Sequence, residues 1–495
     1  MSKIIIQNGN MCELDLPLKF AQKLYNEFAI RHPNAFYLRT RQRGMQNWDG
    51  KIHYITKTGQ FKIGLLPKVY DMCIEMGIKP KVVDMRQPLP KVSKVVTNIG
   101  KYKLRPEQER AVKAVINNKI GNTPFHIGVL DYTVNAGKTL IMSSLYLSYK
   151  KQLKTLLITN DSDWLNQARE EFKQYLPGEN ITFVQGKVLN WSNFTIGMVQ
   201  SISRNMRFYQ KELSQIDMVL VDEADQGGSK QYQNVITRLF NTRIRIGLSG
   251  TIYMSKLAKD KVKNMNLECF FGKVIAEFKL KDSIKKGYST KTVVKMVPGK
   301  PWYGNWESDC ISYKEIYDDS ITNSYTAWLM AYSRLRWNIN QGRYPALVVC
   351  KHIAHCENLY KFFKKKLGDA YNIAYVHVNT PSKLRQQIMK DFREGKIDIL
   401  VSTTIIARGK NFPKLKYLLN TASMLSNEKT IQFLGRLVRT DESKNKVYLD
   451  DLHYPGNYLD RHGKHRKQYY QRQELKVILL DKLWKKHPNH SLIKS

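Results

Sequence analysis

The chain has few cysteines, and it has no apolar run long enough to cross a membrane. Six cysteines are scattered over 495 residues without a Cys-x-x-Cys pair, which is typical of reduced thiols and argues against a disulfide framework. No stretch approaches the roughly 18 apolar residues of a membrane span, and the polar N-terminus does not resemble a signal peptide. These absences predict a soluble cytoplasmic protein that does not bind membranes.

Acidic residues are also scarce, since 42 of them face 81 lysines and arginines, for a net charge of +39. An enzyme for small molecules has no need of that surplus, whereas each phosphate neutralised on a nucleic acid releases a counterion. The charge therefore favours a nucleic-acid partner over mere solubility or an anionic membrane. No acidic cluster for paired nuclease metals is visible, and the close set of Cys350, His352, His355 and Cys356 does not follow the spacing of known zinc modules.

Two segments predict a nucleoside triphosphate site. Residues 132–139 read Tyr-Thr-Val-Asn-Ala-Gly-Lys-Thr after an apolar stretch, and residues 218–225 form an apolar strand that ends in Asp-Glu-Ala-Asp. A glycine-containing turn before a helix presents backbone N–H groups to phosphates. The alternative is a helix-capping glycine with an incidental Lys-Thr, because Tyr132 stands where the usual pattern has glycine. We expect ATP contacts from Asn135, Ala136, Gly137, Lys138 and Thr139, with Thr139 and Asp222 as Mg²⁺ ligands.

Apolar strands alternate with helical stretches in two successive regions of the chain. Strand candidates in residues 96–275 are 155–159, 195–199, 218–221 and 244–248, and those in residues 276–455 are 346–349, 373–376, 398–401 and 417–420. This alternation predicts an α/β fold with two parallel sheets. We expect a small N-terminal α+β domain with a linker in residues 1–95. The basic, aromatic extension 456–495 is either a DNA-tracking surface or a helix packed on the second sheet.

Further motifs make the chain similar to the superfamily-2 helicases over roughly residues 100–455. They are Tyr-Lys-Leu-Arg-Pro-Glu-Gln at 102–108, Ser-Gly-Thr at 249–251, Ser-Thr-Thr at 402–404 running to Gly409, and Gln-Phe-Leu-Gly-Arg-Leu-Val-Arg at 432–439. Each motif alone has a bland explanation, such as a helix N-terminus or a solvated basic face. Their order and spacing leave little room for chance. The resemblance implies two tandem RecA-like domains, at 96–275 and 276–455.

The resemblance also implies a role for each motif residue. Catalysis would rest on Lys138, Asp222, Glu223, Gln432, Arg436 and Arg439, with Glu223 positioning or deprotonating the attacking water and the two arginines reaching the γ-phosphate as arginine fingers. ATP would also be contacted by Tyr102, Gln108 and Gly409. Hydrolysis would be coupled to domain movement by Ser249 and Thr251, and Thr403 would touch the nucleic acid.

The Asp-Glu-Ala-Asp sequence is that of the DEAD-box RNA helicases, but Ser-Gly-Thr at 249–251 and Gln432 fit the DNA-translocating branch better. The runs Asn-Trp-Asp-Gly-Lys-Ile at 47–52 and Lys-His-Ile-Ala-His at 351–355 are similar to phage recombination helicases. That likeness implies ATP-driven remodelling of branched DNA in replication, recombination or repair. We expect a monomer, acting in the bacterial host cytoplasm if a bacteriophage encodes it.

DNA contacts are expected in the N-terminal domain. Arg39, Arg41, Arg43 and Lys51 would grip phosphates, and Trp48 would either stack on an unpaired base or belong to the core of the domain. Two other functions compete with a DNA helicase. One is an RNA helicase or ribonucleoprotein remodeller, and the other is a nucleic-acid-binding scaffold with a switching ATP site, against which the intact Glu223, Arg436 and Arg439 argue.

Overall fold

The structure is a computed structural model, and its two compact units are Met1–Phe278 and Lys279–Ser495. It describes residues 2–41, 45, 47–133, 135–186, 188–250, 252, 258–299, 312–407, 412–424, 433–435 and 437–480. Among the helices in these ranges, none combines the length and apolar character that a bilayer crossing requires.

The first unit begins with a small mixed sheet and three helices. In chain order the elements are β1 (Lys3–Ile6), β2 (Met11–Asp15), α1 (Leu18–Glu27), β3 (Ala29–Arg31), α2 (Ala35–Arg41), β4 (Lys51–His53), β5 (Gln60–Lys62), α3 (Leu66–Glu75) and β6 (Lys81–Asp84). The sheet has the order β5-β2-β1-β6, and β3 pairs with β4 in a separate ribbon. Helix α1 starts directly after Pro17, as expected for a residue whose fixed φ suits a helix start.

The larger part of the first unit is an eight-stranded sheet flanked by helices. Its strands have the order β14-β13-β15-β12-β16-β17-β11-β18, and all neighbours are parallel except β13 and β14. The elements are β7 (Asn98–Ile99), β8 (Tyr102–Lys103), α4 (Pro106–Ile116), β9 (Lys119–Ile120), β10 (Thr123–Pro124), β11 (His126–Tyr132), α5 (Lys138–Ser148), β12 (Thr155–Thr159), α6 (Ser162–Tyr175), β13 (Ile181–Gln185), β14 (Val188–Leu189), β15 (Phe194–Met198), α7 (Val199–Arg204), α8 (Gln210–Ser214), β16 (Met218–Asp222), α9 (Lys230–Ile236), β17 (Ile244–Ser249), α10 (Ala258–Phe271) and β18 (Val274–Phe278).

The small sheet and the large sheet share one hydrophobic core, which runs from Ile4 to Phe271. A buried cation reinforces this contact. The guanidinium of Arg245, on β17, donates to the carbonyl of Gly9 at 2.6 Å and to Asn10 Oδ1 at 2.8 Å, in the turn between β1 and β2. Burial lowers the pKa of Arg245 to about 9. The N-terminal segment is thus packed on the first RecA-like sheet, while the predicted boundary at residue 95 stays a prediction.

The second unit is built on a seven-stranded sheet that is parallel throughout, in the order β21-β22-β20-β23-β24-β19-β25. Its elements are α11 (Leu280–Lys285), β19 (Lys291–Pro298), α12 (Tyr313–Tyr317), α13 (Tyr325–Ile339), β20 (Ala346–Cys350), α14 (Ile353–Leu367), β21 (Ile373–Val376), α15 (Ser382–Glu394), β22 (Ile399–Thr403), β23 (Tyr417–Asn420), β24 (Lys446–His453), α16 (Asn457–Arg472) and β25 (Lys476–Leu479). The predicted α/β class with two tandem RecA-like domains is confirmed.

The C-terminal extension belongs to the second unit, because α16 packs on β24 and β25 joins the sheet. Asp450 and Asp451 are adjacent on β24, so their side chains point to opposite faces. On one face Arg334 of α13 binds Asp450 at 2.8 Å, and on the other Arg466 of α16 binds Asp451 at 2.7 Å. Of the two interpretations of this extension, the packed helix agrees with the structure.

Replacing Asp451 by Asn should destabilise the second unit by about 3–5 kcal/mol, because it leaves the fully buried Arg466 guanidinium without its counter-charge. Thermal unfolding followed by circular dichroism measures the effect. Asp369→Asn is the matched control. It breaks the ion pair with Lys364, but the Asp369 side chain is 98% exposed, so no buried charge is left without a partner. Equal unfolding midpoints for the two variants would contradict the assigned role of the Asp451–Arg466 pair.

Candidate nucleotide-binding site

Three neighbouring strands of the first unit end at the same edge of its sheet. β11 pairs with β17 in parallel, with Leu130 opposite Leu248, and β16 pairs with β17, with Asp222 opposite Leu248. Parallel strands have their carboxyl ends on one side. The phosphate loop after β11, the acidic motif after β16 and Ser249 at the end of β17 are therefore brought together there, as the sequence motifs require.

The phosphate loop turns through two residues with positive φ, Asn135 at 63° and Gly137 at 71°. Glycine adopts this region without a steric cost, and Gly137 immediately precedes α5, which starts at Lys138. Helix α5 therefore directs its N-terminus, the positive end of its dipole, toward the loop. This is the geometry that holds a phosphate group.

Lys138 and Asp222 face each other across the site, with Nζ 3.4 Å from Oδ1. Burial by itself would lower the pKa of Lys138, but attraction by Asp222 and Glu223 outweighs it and raises the pKa. The lysine is therefore held as a cation at the start of α5. A fixed positive charge at this position suits the β- and γ-phosphates of a nucleotide.

Glu223 follows β16 with φ at 52°, an uncommon backbone conformation for a residue with a Cβ. Burial raises the pKa of its carboxyl group to about 8, with repulsion from Asp222 and Asp225 adding to the effect and Lys138 opposing it. A carboxyl group with a pKa near neutrality is suited to accept a proton from water. The backbone conformation directs this side chain differently from a regular strand residue.

Asp225 accepts a hydrogen bond from Ser249 Oγ at 2.7 Å, and both residues are buried. This bond connects the acidic motif to the end of β17. A second connection runs through Gln226, which donates to Glu223 Oε2 at 3.4 Å and contacts the side chain of Asn160. Asn160 and Gln226 were not singled out from the sequence. They carry no motif by themselves, and their signal is only that each directly follows a predicted strand or motif.

Gln108 binds the phosphate loop directly. Its Nε2 donates to the carbonyl of Ala136 at 2.8 Å, and its Oε1 accepts from the backbone N–H of Arg105 at 2.8 Å. The guanidinium of Arg105 donates to the carbonyl of Asn135 at 3.0 Å. The start of α4 therefore supports two successive loop carbonyls. Arg105 was missed by sequence reasoning, although its place just before Pro106 at a helix start was a usable signal.

Tyr102 lies on β8, where its ring packs edge-on against Tyr175 and its hydroxyl donates to Gln174 at 3.2 Å. Its predicted contact with ATP stays a prediction. Thr139 is the second residue of α5, and its side chain is half-buried.

The donor atoms suit Mg²⁺ better than a transition metal. Among the described residues, no group of three or more histidine, cysteine or acidic side chains is arranged to hold a metal on its own. Magnesium typically takes one or two protein oxygens and completes its shell with water and substrate phosphates. Asp222 Oδ1 is a buried oxygen whose near partner is the Lys138 ammonium at 3.4 Å, with no shorter hydrogen bond among the described residues, so the pair of Asp222 and Thr139 fits such an ion.

The structure describes only some of the predicted site residues of the second unit. Thr403 is buried at the end of β22, and the backbone carbonyl of Arg439 accepts from Thr290 Oγ1 at 3.0 Å. The predicted site residues that lie outside the described residues are Arg43, Thr251, Gly409, Gln432 and Arg436.

The predicted DNA contacts of the N-terminal segment lie on and beside α2. Arg39, Arg41 and Lys51 are exposed, and Arg41 lies over the ring of Tyr37 at 5.0 Å. Phe36 is 80% exposed on the same helix, beside a cavity of about 540 Å³ that Arg39 and Lys51 also line. Trp48 uses its indole N–H internally, donating to the carbonyl of Lys51 at 2.9 Å, and is half-buried.

Replacing Gly137 by Ala should lower nucleotide affinity at least tenfold, because the new Cβ would overlap Gln108 Nε2 and displace the loop. Fluorescent-nucleotide titration measures this. Gly178→Ala is the matched control, because Gly178 has a similar φ of +80° but no atom within 4 Å of the added Cβ. Both variants should lose similar stability from backbone strain, roughly 1 kcal/mol. Unchanged affinity in Gly137→Ala would contradict the assigned loop geometry.

Two family models match the chain. The model for "Type III restriction enzyme, res subunit" matches residues 101–254, and the model for "Helicase conserved C-terminal domain" matches residues 331–441. Together they cover more than half of the chain. The first match contains the phosphate loop, the acidic motif and Ser249, and the second contains Thr403 and the arginine motif.

Two relatives and one solved structure are similar to much of the chain. IRC3, a predicted ATP-dependent helicase of Saccharomyces cerevisiae, is 23% identical over 377 residues, which are 70% of this chain and 51% of IRC3. The ATP-dependent DNA helicase uvsW of Enterobacteria phage T4 is 21% identical over 478 residues, which are 88% of this chain and 90% of uvsW. The Type ISP restriction-modification enzyme LlaBIII, solved bound to DNA, has a TM-score of 0.55 at 13% identity, covering 83% of this chain and 34% of that one.

This chain thus spans about half the length of IRC3 and nearly all of uvsW. The structural likeness to LlaBIII bears on the fold alone. The two family matches, with the ordered motifs and the paired RecA-like sheets, identify the chain: it belongs to the superfamily-2 helicases, which are ATP-dependent enzymes.

Proposed function

We propose that the protein is an ATP-dependent DNA translocase that remodels branched DNA, by branch migration, fork regression or unwinding of displacement loops. One observation carries the proposal: a helix with exposed cations and aromatic rings, α2, belongs to a segment that shares its core with the sheet bearing the nucleotide site. A translocase requires a DNA-binding surface that moves together with the domain that binds ATP.

The similarity to uvsW supports the same function. The alignment reaches 88% of the chain, whereas the helicase family models begin only at residue 101. So extensive an alignment must include some of the first 100 residues, which precede both family models. We propose that helix α2 binds the duplex near a junction, with Arg39, Arg41, Arg43 and Lys51 on phosphates. Trp48, whose indole N–H donates to the carbonyl of Lys51, keeps its two proposed roles, stacking on an unpaired base or supporting the core of the domain.

The charged residues of the site support a mechanism for ATP hydrolysis. Lys138 would bind the β- and γ-phosphates, and Glu223 would orient the attacking water and accept its proton. Asp222 and Thr139 would hold Mg²⁺, which neutralises phosphate charge. Tyr102 would contact the adenine, and Gly409 would contact the nucleotide from the second unit. Gln108 would contact the adenine by exchanging one of its present bonds, to the carbonyl of Ala136 or to the N–H of Arg105.

Arg436, Arg439 and Gln432 are proposed to act from the second unit on the γ-phosphate. Ser249 and Thr251 would transmit the change at the phosphate to the acidic motif, since Ser249 is already bound to Asp225. Thr403 would contact the translocated strand. The protein is proposed to act as a monomer in the cytoplasm, that of a bacterial host if a bacteriophage encodes it.

Replacing Glu223 by Gln should preserve ATP binding and lower turnover by about two orders of magnitude or more, because the amide cannot accept the proton of the attacking water. Steady-state ATP hydrolysis and nucleotide titration separate the two effects. Glu171→Gln, on α6 of the same unit, should retain both properties. Full turnover in Glu223→Gln would remove Glu223 from its assigned role.

The substrate is tested by ATP hydrolysis in the presence of four-way junctions, linear duplex DNA, single-stranded DNA and structured RNA. We expect the strongest stimulation from branched DNA, because several duplex arms engage more cationic surface than one. Strongest stimulation by RNA would favour the alternative, an RNA helicase or ribonucleoprotein remodeller. ATP binding without stimulated turnover would favour a switching scaffold.

A further inference from the structure

The second unit carries a cluster of cations and aromatic rings that takes no part in the proposed ATP chemistry. Lys295 of β19, Arg343 in the loop before β20 and Lys446 of β24 surround the rings of Trp337 and Tyr448. We name these five residues the Trp337 cluster. It was not visible in the sequence, because its members come from four separate segments.

Aromatic rings hold the three cations in place. Lys295 Nζ lies 4.4 Å from the centre of the Trp337 ring, and the Arg343 guanidinium lies 4.8 Å from Trp337 and 3.6 Å from the ring of Tyr448. Lys446 Nζ lies 5.6 Å from the same tyrosine ring. These are cation–π distances. Contact with a ring orients a cation but does not neutralise its charge.

The cluster lies on one open face of the sheet. The register places Lys295 opposite Asp450, and side chains alternate along β24, so Lys295, Lys446 and Tyr448 point to the face that α13 covers. Helix α13 covers this face incompletely, because Trp337 in its last turn is 43% exposed and Lys446 is exposed. The cations are therefore accessible from solvent.

Positive charge exceeds negative charge at the cluster. The nearby carboxylate, Asp450, is buried and already bound by Arg334, Asn338 and Tyr417. Within the described ranges, none of Lys295, Arg343 and Lys446 has a carboxylate at ion-pair distance. Burial lowers the pKa of Lys295 and Asp450 raises it, while Arg334, Arg343 and Lys446 lower it further. An anion bound here would relieve this repulsion.

We infer that the Trp337 cluster is a second surface for the phosphodiester backbone of DNA, which rests on the proposed function. Arg343 precedes β20 and Lys446 begins β24, at the amino ends of these strands, while Lys295 is the fifth of the eight residues of β19. Thr403 ends β22 at the opposite edge. The strands that carry Lys446 and Lys295 lie three and four positions from β22 in the sheet, roughly 14–19 Å away, so the cluster can hold a DNA segment other than the one proposed at Thr403. A branched substrate offers such a second duplex arm.

The test compares two triple variants in the full-length protein. Lys295→Gln, Arg343→Gln and Lys446→Gln remove the three cations of the cluster. Lys364→Gln, Lys390→Gln and Lys396→Gln remove the same charge from lysines of the second unit that have carboxylate partners. Affinity for a fluorescent four-way junction and for a linear duplex is measured by anisotropy, without nucleotide, over a range of salt concentrations.

We expect the cluster variant to lose at least tenfold in junction affinity, and less for the linear duplex. The slope of log affinity against log salt should become shallower by about 2–3, at roughly 0.9 for each lost phosphate contact. The control variant should keep the wild-type slope. A charge-conserving triple, Lys295→Arg, Arg343→Lys and Lys446→Arg, should retain binding, which separates charge from fold if the glutamine variant unfolds.

Trp337 provides a second readout. Binding of the junction should quench part of the tryptophan fluorescence of the wild-type protein. That quenched part should be missing in the Trp337→Phe variant. Equal affinity and slope in the cluster and control variants would overturn the inference. Binding of an acidic peptide to the cluster that leaves the junction affinity unchanged would overturn the inference too. That result would indicate a protein partner. A wild type that binds no nucleic acid would overturn the proposed function itself.

Discussion

The parallel pairing of β11, β16 and β17 is the constraint on which the nucleotide site depends. Because the three strands run in the same direction, their carboxyl ends meet at one edge, and three loops distant in sequence become neighbours. The phosphate loop, the acidic motif and Ser249 then share one small volume. Their interactions follow from this placement: Lys138 remains charged through its carboxylate neighbours, and Ser249 binds Asp225.

Buried charges connect the layers around each sheet. In the first unit Arg245 extends from the large sheet to the turn between β1 and β2. If the N-terminal segment moved away, the buried guanidinium would lose its hydrogen-bond partners, which is energetically costly. In the second unit, Asp450 and Asp451 hold one helix on each face. Such pairs specify which helix packs where, because a buried charge tolerates few alternative arrangements.

Each unit carries a local cluster of positively charged side chains. On the first unit, exposed cations accompany aromatic rings on α2, and on the second unit three cations are held by the rings of the Trp337 cluster. In both places an aromatic ring limits the freedom of a long cationic side chain, which lowers the entropic cost of binding a phosphate. An enzyme that moves along a charged polymer benefits from oriented cations more than from net charge alone.

The positions of several strands and the order of the motifs around the nucleotide site could be predicted from the sequence itself. Continuous apolar runs bounded by turn residues predicted β12 at 155–159 and β20 from Ala346, because a strand buried on both faces must be apolar throughout. Only the tertiary structure decided the support of the phosphate loop by Arg105, the anchoring role of Arg245 and the assembly of the Trp337 cluster. Each depends on which distant segments pack together, and that choice is made by the whole core rather than by local sequence.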